Sequence, residues 1–179
     1  GAFYGPKLDI QMKNVHGKED TIITVQIDFL LAERLDMSYI DADGTKKRPY
    51  IIHRTSIGWY ERTLAMLIEK YAGALPMWIC PEQVRILPIS ERLQDKAYEV
   101  EKQLKDAGIK VTTDLRSEKI GYKIREAQLE KIPYMLIIGD KEAQEGTVSV
   151  RSRKNGDIGS MPLDEFISMA VTEIATKAK

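Results

Sequence analysis

Cysteine is almost missing from the 179 residues: Cys80 stands alone, which excludes an internal disulfide framework and fits a reducing compartment. Net charge is missing too, because 27 basic side chains balance 27 acidic ones, so bulk charge excludes a histone-like or polybasic membrane protein. No apolar run approaches the roughly 18–20 residues that span a bilayer and no charged-then-apolar leader opens the chain. No membrane partner is therefore expected, and the expected location is cytoplasmic. Soft metal ligands are scarce: His16, His53 and Cys80 occur at no spacing that makes a zinc motif. Internal repeats and low-complexity runs are absent as well. The chain opens at Gly1 without an initiator methionine and runs straight into patterned sequence, as a piece of something longer would.

What is present is an ordinary globular mixture, 43% hydrophobic and 30% charged, long enough for one full domain or two smaller ones. Residues 19–29 alternate Ile23, Val25, Ile27 and Phe29 against Thr24, Gln26 and Asp28, which predicts a strand with one apolar and one polar face. Asp41 to Thr45 reads as a tight turn around Gly44, and a second strand is expected from Arg48 to Arg54. Tyr60, Leu64, Leu67, Ile68 and Tyr71 stand at helical spacing, predicting a helix over 57–71 that Gly73 ends.

Two prolines, Pro76 and Pro81, make the segment between them a short tether and place a domain boundary there, giving domains 1–81 and 82–179. Beyond it, strand 84–89, a helix capped by Ser90 and stopped by Gly108, strand 109–113, a charged helix from Ser117 to about Lys131, strand 134–138, strand 147–150 and a helix opening at Pro162 follow one another. Strands alternating with helices predict an α/β layer with parallel neighbours.

Three clusters could carry chemistry. Phe3 to Lys7 with Thr24, Gln26 and Asp28 could line a polar pocket or form a plain solvent face. His53 to Arg62 crosses from strand to helix through Gly58, and an arginine in a first helical turn can address nucleotide phosphates; the same charges also suit a surface ion-pair network. Arg116, Lys119, Lys123 and Arg125, with Arg151, Arg153 and Lys154, could face nucleic acid, with Tyr122 to stack on bases, or form a solvated helix face.

These residues, in order and spacing, resemble threonyl-tRNA synthetase. The likeness runs through Phe3-Tyr4-Gly5-Pro6-Lys7, Thr24-Val25-Gln26-Ile27-Asp28-Phe29, His53-Arg54, Gly58-Trp59-Tyr60-Glu61-Arg62 and Trp78 to Val84. It continues through Asp114 to Glu126, Ile132 to Leu136 and Gly139-Asp140-Lys141-Glu142. The resemblance implies part of a class II catalytic domain, an α+β remnant built on an antiparallel sheet, followed by an α/β anticodon-binding domain with a mixed sheet.

In that family Gly58 to Arg62 would be motif 3, with Arg62 on the γ-phosphate of ATP and Glu61 and Gly58 beside it. Lys7 and Gln26, with Tyr4 and Thr24, would line the threonine and adenylate pocket. His53 would be one of three ligands to a Zn2+ that grips threonine and rejects valine. Ser117, Arg125, Glu142 and Arg151 would read or cradle the anticodon loop of tRNA. ATP, Mg2+ and Zn2+ are the implied cofactors, threonine and tRNA the implied partners, and a homodimer the implied assembly.

Two residues depart from the pattern: Trp59, where the family usually has a small residue, and Ser117, where asparagine is common. The implied activity is ATP-dependent attachment of threonine to tRNA by a longer parent, with this chain alone inactive for want of motif 2 and two zinc ligands. The alternatives are a non-catalytic RNA-binding module and a synthetase paralogue.

Overall fold

The computed structural model describes residues 2–178, which divide into two compact units between Lys70 and Tyr71. The first unit holds strands β1 (Lys7–Lys13), β2 (Glu19–Asp28), β3 (Tyr39–Ile40), β4 (Lys46–Lys47) and β5 (Ile51–Arg54), with helices α1 (Leu31–Arg34) and α2 (Tyr60–Lys70). Its main sheet is antiparallel in the order β1-β2-β5, and β3 pairs with β4 across the expected turn, where Gly44 has φ of 77°. Strand β5 begins later than expected because Pro49 has no N–H to give to a ladder. Helix α2 also begins late, since Gly58 sits at φ 73°, outside the helical region. Among the described residues of this unit only Asp28, Ala32 and Met66 are buried. Leu8, Ile10 and Ile52 stay more than half exposed on the sheet, and Leu64 does so on α2.

The second unit holds β6 (Val84–Pro88), α3 (Gln94–Asp106), β7 (Val111–Thr113), α4 (Ile120–Leu129), β8 (Tyr134–Ile138), α5 (Asp140–Glu145), β9 (Thr147–Ser152), β10 (Gly156–Pro162) and α6 (Leu163–Thr176). Its five-stranded sheet has the order β10-β9-β8-β6-β7, with β6 parallel to β7 and to β8 and the remaining pairs antiparallel. The expected antiparallel α+β remnant is therefore found in the first unit and the expected α/β domain with a mixed sheet in the second. Period-two alternation feeds two cores. Val84, Ile86, Leu136 and Ile138 join Val100 and Leu104 of α3 and Phe166 of α6, while Leu87 and Met135 join Ala127 of α4.

Several boundaries shift for physical reasons. Ser90 does not cap a helix through its side chain: a 3-10 turn at Glu91–Leu93 comes first, and the Ser90 hydroxyl is buried with no hydrogen-bond partner. Helix α4 starts at Ile120, after an extended Lys119, and is stopped by Lys131 at φ 61°. Helix α5 and strand β10 are additions; α5 has only six residues and β10 carries two glycines, so neither shows a sustained period. The proline segment is no loose tether. Residues 77–79 form a 3-10 turn whose Met77 is 1% exposed in the larger core, which is why the units divide before residue 71 and not at the expected boundary near 81.

Candidate functional site

Antiparallel pairing places Lys7 opposite Gln26 and Gln26 opposite His53, so the three form one row across the first sheet. Directly opposed residues share a face, and this is the polar one. One row along, Thr24 donates to Asp9 at 2.8 Å and Lys7 pairs with the same carboxylate at 2.8 Å. Lys7 chiefly, and then Thr24, hold the Asp9 carboxyl below the usual carboxylate range. Asp28 closes the row: its Oδ1 accepts the N–H groups of Leu30 and Leu31, and its Oδ2 lies 3.1 Å from His53 Nε2. Tyr4 reaches the same end. Its carbonyl accepts from Phe29 N–H at 3.0 Å, and it lines a cavity of about 180 Å3 with Asp28 and Arg34. Gly5 makes this approach possible, because a Cβ there would lie 2.0 Å from the Ile27 carbonyl oxygen.

Arg62 is placed elsewhere. Its guanidinium donates to the Thr21 carbonyl at 3.1 Å and lies 5.9 Å from the centre of the Trp59 ring. Thr21 stands near the opposite end of β2 from Gln26, roughly 16 Å along the strand. Lys7, Thr24, Gln26, Asp28, Tyr4 and His53 are thus brought together, and Arg62, on α2, is held apart from them against the other end of β2. Gly58 permits this: it has φ of 73°, and a Cβ would meet the Ile22 carbonyl oxygen at 2.0 Å, so only glycine lets α2 start against β2. Glu61 is exposed in the first turn of α2 and forms no ion pair with Arg62.

His53 suits a metal as a single ligand, with Asp28 orienting the ring as carboxylates commonly do behind ligating histidines. Among the described residues no group of three or more histidine, cysteine, aspartate or glutamate side chains could hold an ion.

In the second unit Ser117 and Glu142 follow the carboxyl ends of β7 and β8, where open α/β sheets commonly bind ligands. Ser117 borders a cavity of about 270 Å3 together with Ser90, Arg116 and Lys123. Glu142 accepts from Gly139 N–H at 3.0 Å and so anchors the start of α5. Arg151 lies on β9 opposite Met135, on the face that α4 covers, and its Nη1 is 3.7 Å from Asp157. Arg125 is exposed on α4. Among the described residues no hydrogen bond or ion pair joins any two of these four.

The basic cluster is much reduced by its partners. Arg116 makes a forked pair with Asp114 and a further contact of 2.6 Å with Glu126; it holds the Asp114 carboxyl below the usual range. Lys123 is 4% exposed and donates to the Asp114 carbonyl at 3.0 Å. Arg153 is occupied by backbone carbonyls. Lys119, Arg125 and Lys154 remain exposed without an acidic partner among the described residues. Composition could not separate these sets; the one local signal was Asp114, two residues before Arg116, whereas Glu126 is brought to Arg116 only by the fold.

The same division is found in comparisons with known proteins. Residues 1–71 match the class II tRNA synthetase core domain of the glycine, histidine, proline, serine and threonine enzymes, and residues 83–173 match an anticodon binding domain. A threonine–tRNA ligase of Clostridium perfringens is 67% identical over 176 residues, 98% of this chain and 27% of the relative. The chain belongs to the anticodon binding domain family, whose model spans residues 83–173. A second threonine–tRNA ligase, from Acetivibrio thermocellus, is 54% identical over 99% of the chain and 28% of its own length. A solved RNA-binding domain of threonyl-tRNA synthetase from Cryptosporidium parvum superposes with a TM-score of 0.81 at 37% identity, covering 97% of this chain and 44% of that one. The chain thus spans little more than a quarter of the length of these curated synthetases.

Proposed function

We propose that this chain serves a threonine–tRNA ligase, supplying the helix-start arginine of the catalytic domain and the domain that reads the anticodon. The observation that carries the reading is the order of the two family matches, core segment first and anticodon domain second, each falling on its own compact unit. In the parent reaction threonine attacks the α-phosphorus of ATP, pyrophosphate leaves, and the threonyl group then passes from the adenylate to a terminal ribose hydroxyl of tRNA. Arg62, with its delocalised charge, is suited to hold the departing phosphates beside Mg2+. Lys7, Thr24, Gln26 and Tyr4 offer the donors and acceptors that would orient threonine and the adenylate. His53, backed by Asp28, would give one ligand to Zn2+, whose Lewis acidity would bind the amino and hydroxyl groups of threonine.

Ser117, Arg125, Glu142 and Arg151 are assigned to the anticodon loop, where unstacked bases can be hydrogen-bonded. The parent acts as a homodimer in the cytoplasm. Two measurements test the reading. The chain should bind a threonine tRNA anticodon stem-loop and discriminate single-base changes, and it should give no threonine-dependent pyrophosphate exchange by itself. Equal binding of all loop sequences would overturn the anticodon assignment, and exchange by this chain alone would overturn its dependence on a longer parent. The alternative of an RNA-binding module without chemistry is favoured by one feature, the full core of the second unit against the sparse one of the first. A complete synthetase carrying this segment with Arg62→Ala would separate the two, since the module reading expects no loss of activation.

A further inference from the structure

The cavity of about 270 Å3 in the second unit lies beyond the carboxyl ends of β6 and β7. The chain passes from β6 through α3 out to β7 on one side, then returns through α4 past β6 to β8 on the other, so its connections part at the end of β6. A crevice opens at such a point, and open α/β sheets bind ligands there. Residues 88–91 after β6, residues 115–119 after β7 and Lys123 near the start of α4 supply most of its lining. Its polar groups are incompletely paired. Lys123 is 4% exposed, yet its ammonium meets no carboxylate among the described residues; it donates to the carbonyls of Asp114, at 3.0 Å, and Pro88, at 3.4 Å. An ammonium has three protons, so one is left. The Ser90 hydroxyl, two residues beyond Pro88, is buried with no partner at all. Buried polar atoms are generally paired because an orphan costs stability, so a free ammonium proton and an orphan hydroxyl in one cavity mark a place for a ligand.

Charge and size narrow the ligand. Arg116 is committed to Asp114 and Glu126, which leaves Lys119 and Lys123 against Glu91 and Glu118 in the lining. A balanced set of charges holds a neutral ring with donors and acceptors better than it holds a phosphate. Ile89 and Leu115 add apolar surface against which such a ring can lie. The volume is just below the roughly 300–1,000 Å3 that encloses a drug-sized ligand, so it takes one ring system.

We propose that Lys123 and Ser90 are specificity-determining residues that read one unstacked anticodon base through a keto oxygen and the ring N–H beside it, the edge that guanine and uracil share. The Lys123 ammonium, which can only donate, takes the keto oxygen, and the Ser90 oxygen accepts the ring N–H. Adenine and cytosine present an amino group where the ammonium needs an acceptor, so they are rejected. The assignment rests on the anticodon reading proposed above, and it adds two residues to Ser117, Arg125, Glu142 and Arg151. Lys123 lies too deep to meet the phosphates of the loop, so its contribution does not depend on salt.

Binding of this chain to threonine tRNA anticodon stem-loops tests the assignment. Each anticodon guanine is replaced in turn by 2-aminopurine and each uracil by 2-pyrimidinone, which removes the keto oxygen and with it the ring N–H. Affinity should fall about tenfold at one position. On the unmodified loop Lys123→Met should weaken binding about tenfold and Ser90→Ala about threefold, and both variants should lose their sensitivity to the replacement at that position. The salt slope of Lys123→Met should match that of the unsubstituted chain. Ser90→Ala deletes an orphan hydroxyl, so its melting temperature should not fall, whereas a serine with a purely structural role would lose stability and keep its affinity. Ser90→Ala also decides the matter if Lys123→Met fails to fold. Undiminished sensitivity to every base replacement in the variants would overturn this inference alone and leave the anticodon reading standing. A shallower salt slope for Lys123→Met with base discrimination intact would overturn it as well, by making Lys123 a phosphate contact. Equal binding of all loop sequences by the unsubstituted chain would overturn the anticodon reading and this inference with it.

Discussion

Asp28 Oδ2 lies 3.1 Å from His53 Nε2, and the other oxygen of the same carboxylate accepts the backbone N–H groups of Leu30 and Leu31 at 2.8 Å each. One buried acid thus terminates β2, starts α1 and orients the imidazole of β5. The Leu31 N–H, then His53 and the Leu30 N–H, hold its carboxyl below the ordinary value of 3.8, against the opposing effect of burial. A depressed carboxyl contributes stability that is present above its unfolded pKa and is lost as pH falls through the lower folded one. Asp28→Asn should lower the melting temperature by a few degrees at pH 7 and flatten its dependence on pH below about 4, because asparagine has no charge to lose. Thermal melts from pH 7 to pH 2 check this, and parallel curves for the two proteins would refute it.

Gly58 makes the sharpest packing prediction. Gly58→Ala would place a methyl group 2.0 Å from the Ile22 carbonyl oxygen at a φ of 73°. Left-handed strain alone costs on the order of 1–3 kcal/mol for a side-chain-bearing residue, and the clash adds to it. Urea unfolding should show a loss of at least that size in the first unit, whereas Gly121→Ala, in helix α4 of the second unit with nothing within 4 Å of its Cβ, should cost no stability.

How far the sequence carried depended on whether the signal was local. The alternation in Glu19–Asp28 announced both the strand and its polar face, since strand periodicity needs no partner to be read. The same holds for Tyr134–Ile138, whose apolar run matches a strand flanked by parallel and antiparallel neighbours. By sequence Lys123 and Arg153 belong to a basic cluster that could face nucleic acid or solvent, yet one is buried against the Asp114 carbonyl and the other is bonded to the Leu75 carbonyl, partners that spacing along the chain does not reveal. The proline segment misled for a similar reason, because Pro76 and Pro81 report only what backbone they forbid and not that Met77 has a core to enter. Of the residues proposed for the catalytic segment, the row of Lys7, Gln26 and His53 follows from strand register, whereas the anchoring of Arg62 at Thr21 required the path of the chain after Gly58.

Arg62 and Trp59 should separate in their effects on a complete synthetase. Removing a phosphate-holding charge costs about 10²–10³ in rate, so Arg62→Ala should reduce threonine-dependent pyrophosphate exchange by that factor. Trp59 is 72% exposed and touches Arg62 only from 5.9 Å, so Trp59→Ser should change KM for ATP less than threefold. A large loss for Trp59→Ser would mean that the indole itself forms part of the nucleotide site.

Phe166 and Leu64 test the contrast between the two units. Phe166 is 0% exposed and meets Tyr134 edge-on with ring centres 5.6 Å apart, while Leu64 is 53% exposed. Phe166→Ala should cost about 3–5 kcal/mol and Leu64→Ala less than about 0.5 kcal/mol in urea unfolding. Similar losses from both would show that the face carrying Leu64 is covered in solution by another chain.

Salt dependence distinguishes cations that reach RNA from cations that are occupied. Each phosphate contact to a single strand contributes about −0.7 to the slope of log affinity against log salt. Lys119 and Arg125 are exposed without an acidic partner among the described residues, so Lys119→Ala and Arg125→Ala should each weaken stem-loop binding and make the slope shallower by about that amount. Arg116 is committed to Asp114 and Glu126, so Arg116→Gln should leave the slope unchanged. Its removal should instead act on the protein, by allowing the Asp114 carboxyl to rise toward its ordinary value. That carboxyl is depressed in the folded chain, so its stabilisation is present above about pH 4 and lost in acid. Arg116→Gln should therefore reduce stability near neutrality and narrow the difference between neutral and acid melting temperatures. A shallower salt slope for Arg116→Gln, with no change in that pH dependence, would move this guanidinium from the fold to the RNA face.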